Sequence, residues 1–179
     1  MSEPKPPNRL AEIQAERLSP QQTTVLETLK GNRGRVPTPF KIWLHSPSLA
    51  VHLQALGNFL ANEASLTRRE AELVILAAAA HWQSDYVFSM HAKEAQAAGL
   101  TDAAVEAIRR NSPADLETPR ERTVLELVRH FAAHVTVGDE LFARAIHEFG
   151  HNGVAELLAL YGYFTSVSLA MKLHDVRAS

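Results

Sequence analysis

The chain has 179 residues, of which 46% are hydrophobic and 21% charged, and its formal net charge is −2. This length is typical of one domain, and the composition is that of an ordinary globular protein. A near-neutral charge argues against a general nucleic-acid-binding protein, which would carry a basic surface. The sequence contains no cysteine, which excludes disulfides, iron–sulfur clusters, thiolate zinc sites and cysteine nucleophiles.

The hydropathy pattern contains no segment typical of a secretory signal or a membrane span. Residues 1–18 lack an apolar core. The longest apolar run, residues 73–80, is far shorter than the roughly 20 residues that a membrane-spanning helix needs. We therefore expect a soluble, cytoplasmic protein with no membrane or nucleic-acid partner.

Helix-capping signals recur along the chain, and no stretch shows the sustained alternation of a strand. Predicted helix starts are Ser19-Pro20, Thr38-Pro39, Ser46-Pro47, Thr67, Ser84-Asp85, Thr101-Asp102, Thr118-Pro119, Asp139 and Gly153. Gly31, Gly99 and Gly150 predict helix ends. The sequence thus predicts an all-α protein with eight or nine helices. We divide it into an N-terminal extension with one helix (1–34) and a helical domain (35–179).

Two histidine patterns are candidate metal ligands. Residues 147–151 read HEFGH and match the H-E-x-x-H zinc signature. That signature needs one continuous helix, whereas Gly150 predicts a break and Asn152 a new helix start, so a chance match is the favoured interpretation. His130 and His134 are four residues apart and could share a helix face as a metal pair, although exposed or interface histidines are the commoner case. We predict no metal.

The most informative segment lies between residues 67 and 99. Glu72 stands early in a strongly apolar predicted helix, and a polar and aromatic cluster that includes Trp82, Ser84 and Tyr86 follows it. His91 lies seven residues after Ser84, so both face the same side of the next helix. A helix start beside a histidine and a glutamate suits an anion and a proton donor. The alternative is a buried histidine satisfied by one hydrogen bond.

Residues 35–176 resemble the carboxymuconolactone decarboxylase family, which shares the fold of the alkylhydroperoxidase AhpD. The resemblance rests on the segments 35–60, 66–109 and 155–173. The peroxidase branch has a glutamate, a Cys-x-x-Cys that begins twelve residues later, and a histidine four residues after the second cysteine. Glu72 and His91 match the glutamate and the histidine, whereas Ser84 and Val87 replace the cysteines.

The resemblance implies the cysteine-free branch, whose decarboxylase removes CO₂ from an unsaturated lactone acid without a metal or organic cofactor. We predict His91 and Glu72 as catalytic residues, matched by the resemblance, and Ser84, Tyr86, Trp82 and Val87 as substrate-binding residues around them. Peroxidase activity is not expected, because serine and valine supply no thiolate. The alternative is a non-catalytic relative that binds a small ligand.

The last predicted helix is apolar around much of its circumference, which indicates cover on more than one side. The resemblance implies trimers or dimers of trimers. We therefore expect a homo-oligomer.

Overall fold

The computed structural model describes residues 9–10, 13–34, 36–133 and 136–178. In these residues the regular structure is entirely helical, with a short 3₁₀ turn at Ala15–Arg17 followed by eight α-helices. The α-helices are α1 (Pro20–Arg33), α2 (Thr38–Trp43), α3 (Pro47–Asn62), α4 (Arg68–His81), α5 (Asp85–Ala97), α6 (Asp102–Arg109), α7 (Pro119–Ala133) and α8 (Asp139–Leu173). The predicted all-α fold with eight or nine helices is confirmed.

Side-chain caps begin the helices where the sequence predicts them. The Ser19 hydroxyl accepts from the Gln22 amide, and the Gln22 side chain accepts from the Ser19 amide in return. Thr67 and Glu70 form the same reciprocal pair at the start of α4. Each pair satisfies two amides that have no partner inside the helix.

The end of α1 differs from the prediction. The helix continues past Gly31 to Arg33, and Gly34 is the residue with left-handed backbone (φ 66°). The Gly34 amide donates to the Lys30 carbonyl at 2.8 Å and closes the last turn. Of two glycines three residues apart, the second adopts the positive φ that terminates the helix.

The central helix of the fold is α4, which packs against α5, α6, α7 and α8. Its residues 73–79 are all buried, so this helix forms the middle of the core. Its first turn is polar and is paired to α7. Arg69 Nε donates to Glu121 at 2.6 Å, and Arg120 Nε donates to Glu70 at 2.7 Å.

The described part of the N-terminal segment shares this core. Val25 and Leu29 of α1 are buried in the same apolar cluster as α3 and α4. Gln22 Nε2 donates to the Leu44 carbonyl at 2.8 Å. Helix α1 thus packs on the rest of the fold, and the division of the chain at residue 34 stays a prediction.

Helix α8 is interrupted where the sequence predicts a break. Gly150 has φ 64° and ψ 176°, which are not helical. Arg120 donates to the Glu148 carbonyl just before this point. Its guanidinium lies 4.2 Å from the centre of the Phe149 ring. The contacts with Arg120 hold the end of the first half of α8 against α7.

By length and composition alone, α8 is apolar enough to cross a membrane. The core helix of a globular protein passes the same test, so the signal is weak. Here α8 packs against α2, α3, α4, α5 and α7, and Leu157, Leu160 and Met171 are core residues. Its apolar character therefore has an explanation within the fold.

The break at Gly150 gives a stability prediction. Replacing Gly150 by alanine should destabilise the protein by about 1–3 kcal/mol, because an L-residue is strained at this φ and ψ. An added Cβ would meet no atom within 4 Å, so the cost comes from the backbone alone. Gly162→Ala is the matched control, since Gly162 has equal space in the helical part of α8 and should gain up to about 1 kcal/mol. Urea unfolding measures both, and equal stability of the two variants would contradict this account.

Candidate active site

A cavity of about 370 Å³ lies where α3, α4, α5 and α8 meet the start of α2. Most of its wall is apolar or aromatic, with a few polar groups. The wall is formed by Pro37, Thr38, Pro39, Phe40, Gly57, Leu60, Ala61, Arg68, Ala71, Ile75, Tyr86, Val87, Met90, His91, Glu94, Leu160, Tyr163, Phe164 and Val167. Such a volume and lining suit a small, largely apolar ligand.

Behind this wall, a buried carboxylate holds a histidine. Glu72 of α4 has no solvent-exposed surface, and its Oε2 lies 2.9 Å from Nδ1 of His91 on α5. The His91 side chain is 23% exposed and lines the cavity, with its ring edge-on to Phe164 at 4.9 Å. Because Nδ1 is engaged by Glu72, Nε2 is the nitrogen left to a ligand.

Arg68 provides the positive charge nearest to Glu72. Its Nη2 lies 2.9 Å from Glu72 Oε1 and 3.0 Å from Glu94 Oε2. The contact with Glu72 is an ion pair without hydrogen-bond geometry, since Oε1 has no hydrogen-bond partner among the described residues. Arg68 is half exposed, so one cation at the cavity rim is shared by a buried and an exposed carboxylate.

Two hydroxyl groups meet on another part of the wall. The Tyr86 hydroxyl and the Thr38 Oγ1 are 2.7 Å apart, and both residues line the cavity. Val87 lies on the same wall and is almost fully buried. The structure therefore brings Tyr86, Val87 and His91 together, with Glu72 directly behind His91.

Ser84 and Trp82 are not placed as we expected for substrate-binding residues. Neither lines the cavity. Ser84 is 3% exposed, and its buried hydroxyl has no hydrogen-bond partner among the described residues and makes no cap bond to α5. The Trp82 indole donates to Thr165 Oγ1 of α8 at 3.2 Å. Both side chains are directed into the protein, so their expected contact with substrate has no support in the geometry.

The histidine patterns do not form a metal centre in the described residues. His147 and His151 are exposed and lie on either side of the break at Gly150, so they do not share one helix face. His130 Nε2 contacts the Thr136 carbonyl, while His134 lies outside the described residues. No group of three or more His, Asp or Glu residues suited to a metal ion occurs in the described part of the chain.

The sequence reasoning missed Arg68, Thr38 and Phe164. Arg68 could have been found, because it stands four residues before Glu72 on one helix, a spacing that forms ion pairs. Phe164 had no local signal, since it reaches His91 from a helix more than seventy positions later. Thr38 was recognised only as a helix start, a role that gives no indication of its contact with Tyr86.

The pairing of Glu72 with His91 can be measured as a coupling of stabilities. His91→Ala should cost about 1–3 kcal/mol, because it leaves a buried carboxylate oxygen without its donor. The same change in a Glu72→Leu background should cost much less, which gives a double-mutant coupling of about 1–3 kcal/mol. Urea unfolding of the four proteins provides the values. Lys93→Ala, which removes an exposed side chain of the same helix, should be additive with Glu72→Leu, and additivity of His91→Ala would contradict the pairing.

Residues 47–130 match the model of the Carboxymuconolactone decarboxylase family. Among curated proteins, none is significantly similar in sequence. An uncharacterized peroxidase-related protein from Silicibacter sp. TM1040 is 18% identical with a TM-score of 0.75, over 98% of this chain and 93% of that one. A second such protein, from Ralstonia eutropha JMP134 and described as an alkylhydroperoxidase AhpD core, is 18% identical with a TM-score of 0.78, over 98% and 94%.

A third solved structure is that of the debrominase Bmp8 in complex with 2,3,4-tribromopyrrole. It is 16% identical with a TM-score of 0.73, over 95% of this chain and 91% of that chain. At these identities the likeness establishes the fold, which is that of AhpD. The likeness to the Carboxymuconolactone decarboxylase family thus rests on residues 47–130, while the fold as a whole is that of the AhpD-like structures.

Proposed function

We propose that the protein is an acid/base catalyst that acts without a cofactor on a small unsaturated acid or lactone. Decarboxylation or a related reaction is the chemistry that we assign to it. The observation that carries the proposal is the buried Glu72 carboxylate against Nδ1 of His91, on the wall of a cavity of small-molecule size. The match of residues 47–130 to the model of the Carboxymuconolactone decarboxylase family supports the reaction class.

In this proposal His91 moves the proton and Glu72 positions the ring. With Nδ1 held at 2.9 Å by Glu72, Nε2 presents either a proton or a lone pair to the ligand. As the bond to the carboxylate carbon breaks, CO₂ leaves and the electron pair passes into the conjugated carbonyl as a dienolate. Protonated Nε2 then delivers a proton to carbon, and solvent restores the proton on His91. Glu72 balances the charge of the imidazolium while it exists.

The cavity wall fits the remaining needs of that reaction. Tyr86 and Thr38 supply a hydroxyl pair that can donate to a carbonyl oxygen on which negative charge develops. The charge of Arg68 is shared between Glu72 and Glu94, so it is not an unopposed anchor for a carboxylate. The largely apolar wall disfavours the charged carboxylate of the substrate relative to the neutral CO₂ that forms from it.

The substrate class also has support from the solved structures. A debrominase with this fold holds 2,3,4-tribromopyrrole, a small planar ring. The aromatic side chains around the present cavity, Phe40, Tyr163 and Phe164 among them, suit a ring of similar size and shape. We therefore favour a planar, unsaturated ring as the substrate skeleton.

The activity prediction uses a panel of carboxylated unsaturated lactones and acids, followed by ultraviolet absorbance as the conjugation changes. His91→Ala should lower turnover of an accepted compound by a factor of about 10² or more. Because His91→Ala also costs stability, the comparison is made well below the melting temperature of the variant. His151→Ala, a histidine exposed away from the cavity, is the matched control and should keep wild-type turnover.

The same preparations are tested for peroxide turnover with a dithiol reductant in metal-free buffer. None is expected, because the sequence has no cysteine to form a thiolate. Full turnover of a lactone by His91→Ala would contradict the proposed acid/base role. Saturable binding of panel compounds without any turnover would favour the alternative, a non-catalytic ligand-binding protein.

We further propose that the protein acts as a homo-oligomer, a trimer or a dimer of trimers. Leu158, Leu169 and Leu173 of α8 are 48%, 43% and 70% exposed. At 3.6 residues per turn they lie within about 60° of one another around the helix. An exposed apolar stripe of this kind is typical of a surface that another subunit covers.

Light scattering checks the assembly directly. The wild-type protein should have the mass of three or six chains at micromolar concentration. Leu158→Glu with Leu169→Glu should shift it toward the monomer, because two charges would be buried in the contact. Lys172→Glu, an exposed charge reversal near the stripe, is the control. A monomeric wild type would contradict the assembly without affecting the proposed chemistry.

A further inference from the structure

A second cavity, of about 270 Å³, lies between the ends of α4, α6 and α7. No residue lines both this cavity and the one that contains His91. Its floor is made of small apolar side chains, with Ala77 and Ala80 from α4 and Ala132 from α7. Its volume equals that of about nine water molecules at roughly 30 Å³ each, enough for a small organic molecule.

Two arginines and a histidine also line this cavity, beside Asn111 and further apolar side chains. Arg129 comes from α7, Arg109 from the end of α6 and His81 from the end of α4. No aspartate or glutamate lines the cavity in the described residues. The wall therefore combines two permanent cations with an apolar floor.

Arg129 is a partly buried cation that has no carboxylate partner among the described residues. It is half-buried, and one of its nitrogens, Nη2, donates to the Ser112 carbonyl at 2.6 Å. No carboxylate of the described residues forms an ion pair with it. Burial lowers the pKa of the Arg129 guanidinium. A guanidinium carries five N–H donors, so donors remain for a ligand.

Arg109, the second arginine of this cavity, has only distant carboxylate partners among the described residues. Its guanidinium lies 3.9 Å from the centre of the Phe88 ring. Its distances to Asp85 and Glu106 are 3.8 and 3.6 Å, and all three side chains are at least 40% exposed. Exposed pairs at such distances contribute little, so a ligand in the cavity can compete for this guanidinium.

The helix ends at this cavity do not consume the arginines. The last carbonyls of α4, from Ala78 to Ala80, accept the amides of the turn that follows. The Ala107 carbonyl of α6 accepts both the amide and the hydroxyl of Ser112. These carbonyl oxygens already accept hydrogen bonds from backbone or side-chain donors. The two arginines are therefore not needed to satisfy the helix ends.

We propose that the second cavity binds a small organic anion, with its oxyanion group between Arg129 and Arg109 and its apolar part on the alanine floor. A planar guanidinium matches both carboxylate and phosphate oxygens in a bidentate contact. A carboxylate and a phosphate ligand would therefore be recognised in the same way, as an oxyanion group attached to a small apolar body. The proposal is independent of the reaction assigned to His91.

The test is calorimetric titration of the full-length protein with sodium benzoate, phenyl phosphate and, as the uncharged analogue, benzamide. One of the two anions should bind saturably with one site per chain in this cavity, and the tighter anion identifies the head group. Benzamide should bind at least tenfold more weakly. Arg129→Met should weaken anion binding at least tenfold while keeping the length of the side chain. His91→Ala should leave this binding unchanged, which separates it from any binding in the first cavity.

Arg110→Met is the matched control, because Arg110 is exposed on the neighbouring turn and does not line the cavity. It should keep wild-type affinity. If Arg129→Met fails to fold, Arg109→Met provides the same comparison at an exposed position. Absence of saturable binding by both anions would overturn the proposal, as would equal affinity in the wild type and the folded arginine variant.

Discussion

The carboxylate of Glu72 is the group on which the arrangement of this protein depends, because it is ionisable and has no solvent exposure at the centre of the fold. A buried carboxylate is costly unless neighbouring groups replace its hydration. One neighbour, Arg68, comes from the same helix, and the other, His91, comes from α5. The two helices must therefore pack so that His91 reaches Glu72, which also places the histidine on the cavity wall. Burial of one charge thus fixes the geometry of the site.

The alanine-rich sequence of α4 allows one helix to serve two cavities. Ala78 and Ala79 are fully buried, and their small side chains permit neighbouring helices to approach closely. Ala77 and Ala80 leave space at the second cavity, while Ile75 lines the first. The cavities therefore lie on different faces of a rigid element. An apolar residue larger than alanine at position 80 would fill the second cavity and leave the first untouched.

The helix starts could be predicted because capping residues act on neighbouring residues of the chain. The lining of the site could be predicted only in part, because it depends on how the helices pack. Capping residues such as Ser19 and Thr67 act within one turn, so the sequence reveals them directly. The spacing of Glu72 and His91 resembles a family pattern, and the pair does meet. Ser84 shares a helix face with His91 in the sequence pattern, yet its hydroxyl is buried and has no partner in the part of the chain that the structure describes. Helical periodicity shows that two residues share one face of a helix. It does not show whether that face lines a cavity or packs into the core, because this depends on which other helix covers it.

Replacing the two cysteine positions of the peroxidase branch by Ser84 and Val87 changes more than the nucleophile. Val87 is buried to 2% exposure and lines the same cavity as His91, so an apolar side chain stands at the second of these positions. Ser84 does not line the cavity, so its hydroxyl does not take the place of a cysteine thiol on that wall. A histidine with an anchored Nδ1 and an apolar neighbour is suited to proton exchange with carbon, where water would compete. The sequence has no cysteine, so no thiolate is present to attack a peroxide. Valine at this position supplies no thiol and places an apolar side chain on the wall that His91 also lines, which fits the proposed transfer of a proton to carbon.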